Sequence, residues 1–422
     1  MKNISALFII CFLCMPFLIH AQEDSPEEEP DIDDEYIAPR EFRIADGAFE
    51  IGLNAELGFA NNALATNTIF QKTLVLDLDE LSDGLKIDLG AGVTPLFFNY
   101  DSRRGWGVGL SIGAEAAGIV DISGDMISLR QTENSKSALS GAIFASLDID
   151  AFYMIQKFKV KFRPALYSTL AYIKSDVAYG NKNVGQETLL YIDFGLDIFT
   201  AFSPLALGVD FSAGVEYPLS QEIGLRDKYP ILDFDVGIDF VNIPIVPSIM
   251  KSYTKRDIRL GSKEPLSLMD LMSTFDIDDD SPVDGMGNEK VFRPFKMLVW
   301  ANWRLFPGDL PLTIIPAIGF SINPFYIELG AVEAGVKANL LLANHFLFTA
   351  GIGYYDRLWK NSLGIDFIFK VVEFNIGADL RSQDFVKSWS AGFGLNFGVK
   401  FKWGAVPRQS PSFNNSGNWL LR

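Results

Sequence analysis

The sequence predicts an all-β fold: a transmembrane antiparallel β-barrel of about fourteen strands, with an N-terminal plug-like segment and one long acidic loop. Three observations carry this reading. Apolar and polar residues alternate with period two from about residue 48 onward. The alternating segments run for nine to thirteen residues. About fourteen or fifteen of them follow one another, joined mainly by short turn sequences. Successive strand side chains point to opposite faces, so each segment has one apolar face and one polar or tiny face.

The segments themselves are clear. Phe393, Leu395, Phe397, Val399, Phe401 and Trp403 alternate with Gly394, Asn396, Gly398, Lys400 and Lys402. Leu232, Phe234, Val236, Ile238 and Phe240 alternate with Asp233, Asp235, Gly237 and Asp239. The same rhythm runs through 205–217, 49–59, 85–93, 106–114, 143–151, 190–198, 363–371 and 372–380. A soluble sandwich also alternates, but its strands average about five or six residues. A tilted membrane strand needs roughly nine to eleven. Length therefore decides for a barrel with its apolar face toward lipid. Pro307-Gly308-Asp309, Ser203-Pro204 and Asn323-Pro324 mark turns. Tyr100, Trp106, Tyr153, Tyr172, Tyr217, Trp300, Tyr354, Trp359, Trp389 and Trp403 are candidates for the interfacial aromatic girdles. Helical spans are disfavoured. The charge-free window 310–327 holds Pro311, Pro316 and Pro324, and charges interrupt the other apolar stretches apart from 338–355, which carries Asn339, Asn344, His345 and two glycines.

The N-terminus has its own logic. Lys2, an apolar run over 7–19 and Ala21 read as a secretory signal peptide over 1–21. An uncleaved anchor and a lipoprotein cut before Cys14 are the weaker alternatives, because the run is short and Cys11-Phe12-Leu13 is a poor lipobox. Cys11 and Cys14 are the two cysteines of the chain, so a mature protein cut after Ala21 has no disulfide or thiol chemistry. Residues 22–45 form an acidic disordered linker, whose first part holds nine carboxylates and no base. An N-proximal strand and candidate hatch follow over 46–84. The barrel proper takes 85–403, with a long loop over 242–289 that holds a candidate helix near 265–275 and an acidic tip at 276–284. A tail runs over 404–422.

Charge and composition exclude several chemistries. Lys and Arg total 36 against 53 Asp and Glu, a net charge of −17, so nucleic acid is excluded as a partner. Asp276, Asp278, Asp280 and Asp284 superficially suggest a calcium loop, yet Ser281 and Gly287 stand where Gly and Glu are needed. His345 is the one histidine beyond the signal segment, which leaves no His-based metal site or triad. No catalytic, cofactor-binding or metal residue is assigned, and the chain is not expected to be an enzyme.

Two sets of residues are singled out instead. Asp193, Asp197, Asp210, Asp233, Asp235 and Asp239 lie on the polar faces and are candidate lumen carboxylates. They read either as an internally paired wall or as a cation-preferring pathway. Asn396, Gly398, Phe401 and Trp403 match the pattern that the barrel-assembly machinery recognises on a last strand, with glycine permitting close backbone approach. The expected partners are outer-membrane lipid, that machinery, and a small-molecule or hydrophobic cargo; the expected location is the bacterial outer membrane.

The signal peptide, acidic spacer, the stretch GFANNALATN at 58–67 and some fourteen long strands together resemble the FadL-like class of long-chain fatty-acid transporters. Within that broad kind the likeness is to spirochaete outer-membrane proteins. It covers about residues 46–403. The resemblance implies a channel or transporter, with hydrophobic compounds such as fatty acids as cargo and a hatch over 46–84. The Asn-Pro-Ala element of that class is absent, so no ligand residue is carried over. The alternative function is a surface-exposed structural or adhesin-like barrel acting through 242–289.

Overall fold

The computed structural model describes residues 47–62, 84–102, 105–123, 138–184, 187–200, 206–224, 229, 233–262, 275–279, 283–305, 312–325, 330–342, 345–386 and 391–404. The signal segment, the acidic linker, the tail beyond 404, the candidate hatch at 63–83, the candidate helix near 265–275 and Trp389 fall outside these residues, save that Phe275 opens a strand.

The strands in chain order are β1 (Gly47–Asn61), β2 (Leu85–Ser102), β3 (Trp106–Ile122), β4 (Ala138–Ile155), β5 (Phe158–Val184), β6 (Glu187–Thr200), β7 (Leu207–Tyr217), β8 (Asp233–Val246) and β9 (Ser248–Ser262). They continue with β10 (Phe275–Asp279), β11 (Val283–Val291), β12 (Phe295–Leu305), β13 (Leu312–Ile322), β14 (Gly330–Leu342), β15 (Phe346–Tyr355), β16 (Leu358–Ile368), β17 (Val372–Ser382) and β18 (Gly392–Gly404). One helical turn, α1 (Leu219–Glu222), separates β7 from β8.

All pairings are antiparallel. β1 closes the ring on β18 without interruption from Ala48 opposite Gly404 to Ala60 opposite Gly392. Three traverses are built in pieces. β5 pairs along its inner half with β7 and along its outer half with β6. β8 and β9 continue one another, as do β10, β11 and β12. Counted as traverses, the sheet is a closed barrel of 14 strands, as the periodicity predicts.

The faces are inverted relative to a soluble protein. Leu57, Leu89, Leu110, Ile149, Phe162, Ile318, Val332, Leu363, Ile376 and Leu395 are exposed on the outside. Asp148, Lys161, Asp210, Ser212, Asp239, Lys296, Glu333 and Lys337 are buried on the inside. A water-facing exterior of that kind would be one very large apolar patch, whereas a bilayer requires it. The chain is an outer-membrane barrel. At the end where Gly47 and Gly404 meet, the connections at 103–105, 156–157, 343–345 and 369–371 are short, and that at 218–232 is the long one. Those at the other end include 62–84, 123–137 and 263–274, and the longer loops of such barrels are extracellular. Phe49 stacks on Trp403 (5.7 Å) and leans on Tyr100 (4.7 Å), which meets Trp106 (5.3 Å), so an aromatic girdle forms at the periplasmic end.

Residues 47–61 form the expected N-proximal strand, which lies in the barrel wall. One expectation needs correction. The segment 242–289, expected as a loop, is largely strand: its described residues lie in β8, β9, β10 and β11. The reason is geometric. β5 has 27 residues, and at about 3.3 Å each it far exceeds the ~30 Å hydrocarbon core even when tilted. Its outer half, with β6, β9 and β10, stands beyond the bilayer. No lipid meets either face there, so alternation is not required: β6 keeps it over 190–198, whereas β9 lacks it.

Candidate functional site in the barrel lumen

Side-chain size divides the lumen into two arcs. On β17, β18, β1, β2 and β3 the inward positions alternate between glycine and short polar or charged residues. Gly377 and Gly398 leave room for the side chains of Asn396 and Asn375, which lie across them from the neighbouring strand. A Cβ at either glycine would sit 2.6–2.7 Å from those amide groups. Gly58 and Gly394 leave the same kind of room for the Arg381 guanidinium. This arc lines a cavity of about 300 Å³, whose far side is formed by Phe144, Arg293, Pro294 and Asn323.

The opposite arc is filled. On β4, β5, β7, β8 and β12 many inward side chains are charged and buried, among them Asp148, Lys161, Asp210, Asp233, Asp239 and Lys296. Arg293 stands between β11 and β12, just before Pro294. Proline has no N–H to give the ladder and is tolerated where pairing breaks, so the chain steps inward here. The Arg293 guanidinium donates twice to Asp210, at 2.8 and 2.7 Å, and lies 3.5 Å from Asp148 and 3.9 Å from Glu115. It thus reaches from one side of the lumen to β3 and β4 on the other, with its plane 5.3 Å from the Tyr167 ring.

Tyr167 organises the level at which the composite traverses break. Its hydroxyl donates to the Val291 carbonyl (3.1 Å), has the Val246 carbonyl at 3.3 Å, and accepts from the Ser248 amide (3.3 Å). Ser248 Oγ donates to the Ala206 carbonyl at 2.6 Å and accepts from the Thr169 amide at 3.3 Å. The Asn242 side chain donates to the Pro294 carbonyl at 3.0 Å. Each is a backbone group released from the ladder at a break and caught by a side chain, as buried polar groups require.

Above the charged layer lies an apolar body inside the lumen. Ile119, Phe144, Tyr167, Tyr172, Phe199, Met250, Val291 and Phe325 pack together and are all buried. Phe325 comes from the connection between β13 and β14. Its ring centroid is 6.0 Å from Phe144 and 6.3 Å from Tyr172, and Asn323 Oδ1 accepts its amide at 3.0 Å. Burying a phenyl ring contributes about 1.5–3 kcal/mol. Tyr172 therefore belongs to the lumen and not to a girdle. A bulge around Leu170 in β5 shifts the parity, so that Tyr172 shares the inner face with Tyr167. Trp300 is also inward: its Nε1 donates to Asp239 at 2.6 Å and its ring lies 5.2 Å from Lys161.

The sequence-derived carboxylates divide accordingly. Asp210 meets Arg293; Asp233 (3.1 Å) and Asp235 meet Arg304; Asp239 meets Trp300 and lies 3.9 Å from Lys161. Asp197 is half-buried in β6, opposite Lys174 and Lys255 in the ladder. The side chain of Asp193 is outside the described residues. Asn396, Gly398, Phe401 and Trp403 all lie in β18, the strand that closes the ring. His345 sits in the β14–β15 turn, its Nδ1 3.1 Å from the Ile368 carbonyl. At the outer tip of β15–β16, Asp356 lies 2.6 Å from Lys296 and 3.6 Å from Lys360. Burial works against its charge, but these two ammonium groups prevail and hold the Asp356 carboxyl down to about 2. Arg293, Tyr167 and Phe325 are the organising residues that periodicity alone does not single out.

No family model and no curated protein matches the chain. Among solved structures it is similar to the Pseudomonas putida toluene transporter TodX, at 12% identity over 86% of this chain and 91% of that one, with a TM-score of 0.45. It is similar also to a Pseudomonas aeruginosa FadL homologue (8%, covering 85% and 91%, TM-score 0.43) and to the monoaromatic hydrocarbon channel CymD (10%, covering 86% and 89%, TM-score 0.43).

Proposed function

We propose that the protein is a passive outer-membrane channel that carries small hydrophobic compounds through its lumen. The observation behind this reading is the apolar aromatic body built around Phe144, Tyr172 and Phe325 beside a glycine-lined cavity of about 300 Å³. A barrel interior needs only polar side chains and water to be stable. Aromatic rings gathered there are suited to apolar cargo, and the glycine arc leaves such cargo a way past the charged wall. Partners on this reading are the surrounding lipid, the hydrophobic cargo, and the barrel-assembly machinery engaging Asn396, Gly398, Phe401 and Trp403.

The cargo is uncharged on this reading. Arg163, Arg293, Lys296, Lys360, Arg381 and Lys400, the cations that line the cavity, each face a carboxylate of the wall already. A carboxylate cargo such as a fatty-acid anion would have to displace one of them. The test is uptake of a radiolabelled neutral aromatic solute and of its carboxylate analogue into liposomes holding the refolded barrel. Uptake of the neutral solute above protein-free vesicles supports the reading; rates equal to protein-free vesicles, with the folded barrel confirmed by heat-modifiable migration, overturn it.

A second reading is a closed barrel acting through its outer wall. It is favoured by the packed Arg293 layer and by β9 and β10, the strands of 242–289 that stand beyond the bilayer. Absence of uptake in the same assay is the result it requires.

A further inference from the structure

We propose that Phe325 is a built-in stopper, and that the lumen opens when its ring leaves the socket formed by Phe144 and Tyr172. The proposal rests on the channel reading. Four features of the molecule carry it. First, Phe325 is only 3% exposed although it stands in a connection between strands. Its ring reaches β4 and β5, neither of which is a ladder neighbour of β13 or β14.

Second, the seat consists of rings. Phe144 and Tyr172 meet Phe325 through apolar faces, while the hydrogen bond that shapes the turn is local, from the Phe325 amide to Asn323 Oδ1. Leaving the socket therefore breaks no β-ladder. Third, Asn323 and Phe144, the two residues that hold the Phe325 amide and ring, both line the cavity, so the ring stands directly behind the cavity's far side and its withdrawal frees that side. Fourth, Arg293, which among the described residues also reaches across the lumen, is held by a buried two-fold contact to Asp210 and two further carboxylates, whereas Phe325 is held by ring contacts and one local hydrogen bond.

The experiment compares single-channel recordings of three full-length proteins: the wild type, Phe325→Ala, and a lockable variant. The lockable variant carries Phe325→Cys and Tyr172→Cys, with Cys11→Ser and Cys14→Ser to remove the native thiols. A short bifunctional thiol reagent ties its stopper into the socket. Each protein is first shown to be folded by heat-modifiable migration. Phe325→Ala is expected to raise open probability by roughly tenfold or more, since truncating a seated ring removes more than the 1.4 kcal/mol that a tenfold change represents. Crosslinking is expected to abolish the openings of the cysteine variant, and cleavage of a reducible reagent to restore them.

Equal open probability for the wild type and Phe325→Ala, with crosslinking without effect, overturns the stopper while leaving the channel intact. Silence in all three folded proteins also overturns it, and the liposome uptake assay then decides the channel reading separately. If Phe325→Ala does not fold, the crosslinked and uncrosslinked states of the cysteine variant give the answer in one molecule.

Discussion

Replacing Arg293 by methionine should destabilise the barrel more than almost any other single lumen substitution. The guanidinium is the shared counter-charge of Asp210, Asp148 and Glu115, and Asp210 is 2% exposed. Methionine keeps much of the volume and removes the charge, so three carboxylates are left facing one another, two of them, Asp210 and Asp148, buried. Breaking a buried pair from one side costs about 3–5 kcal/mol. With a urea slope of roughly 3 kcal/mol per molar, the upper end of the small-protein range, the midpoint should fall by about 1–1.7 M. Tryptophan fluorescence of the barrel in detergent reads this out. Arg293→Lys should fall between the two, because an ammonium cannot bond both Asp210 oxygens in one plane. The double variant Arg293→Met with Asp210→Asn should recover a large part of the loss, since the most deeply buried of the orphaned charges is gone. A midpoint unchanged by Arg293→Met, or no recovery in the double variant, would show that water already screens these carboxylates and that the layer is not a packed bar across the lumen.

Three further outcomes are expected. Asp356 is ionised above its ordinary value near 3.8 in folded and unfolded chain alike, and its folded value of about 2 means its contribution is present above pH 4 and lost as pH falls toward 2. Asp356→Asn should therefore cost on the order of 2 kcal/mol at pH 7 and almost nothing near pH 2; a gap that stays constant with pH refutes the assignment. Gly394→Leu places a side chain where the Arg381 guanidinium lies and so fills the cavity from the β18 side. Single-channel conductance should fall while stability drops by only about 1–3 kcal/mol, and an unchanged conductance would move the pathway elsewhere. Phe401→Ala with Trp403→Ala should lower the amount of barrel assembled in native outer membranes well beyond its effect on refolding into detergent, where the lost Phe49–Trp403 stack accounts for about 0.5–1.5 kcal/mol. Equal losses in both settings would make β18 an ordinary strand.

The legible part of this fold is the part the bilayer acts on. In β7, β8 and β18 lipid meets one face and the lumen the other, and period two appears residue by residue. The outer halves of the wall have no such asymmetry. Lys251, Ser252, Lys255, Arg256 and Asp257 in β9 give no alternation, so a strand there is indistinguishable from a loop by pattern. Parity also holds more information than the aromatic pattern. Trp300 shares its face with Lys296 and Arg304 along β12 and is therefore inward, whereas reading tryptophan as a girdle residue by type alone puts it at an interface. Tyr172 escapes even that test, because one extra residue near Leu170 reverses the parity and leaves no mark in the sequence.

The pairing of the carboxylates sets a deeper limit on what pattern can reveal. Periodicity places Asp210, Asp233, Asp235 and Asp239 on inward faces, but their partners are set by where a traverse steps inward. Arg293 is 83 residues from Asp210 and belongs to no strand. Its neighbour Pro294 gives a local reason for a break, and the direction of the step is decided only by the packing of three adjacent traverses around the Tyr167 hydroxyl. The same reasoning explains why one arc is open and the other filled. From β17 through β3 the traverses are unbroken apart from bulges at Gly52/Asn54 and Val93/Leu96, and inward glycines there leave space. Wherever the ladder is stepped, freed carbonyls and amides must be caught, and large polar side chains gather to catch them. Polar closure and open path are thus two results of one feature, the set of breaks at a common level. On the channel reading, a pathway runs off-centre along the glycine arc, across the cavity from Phe144 and the Phe325 ring that packs on it.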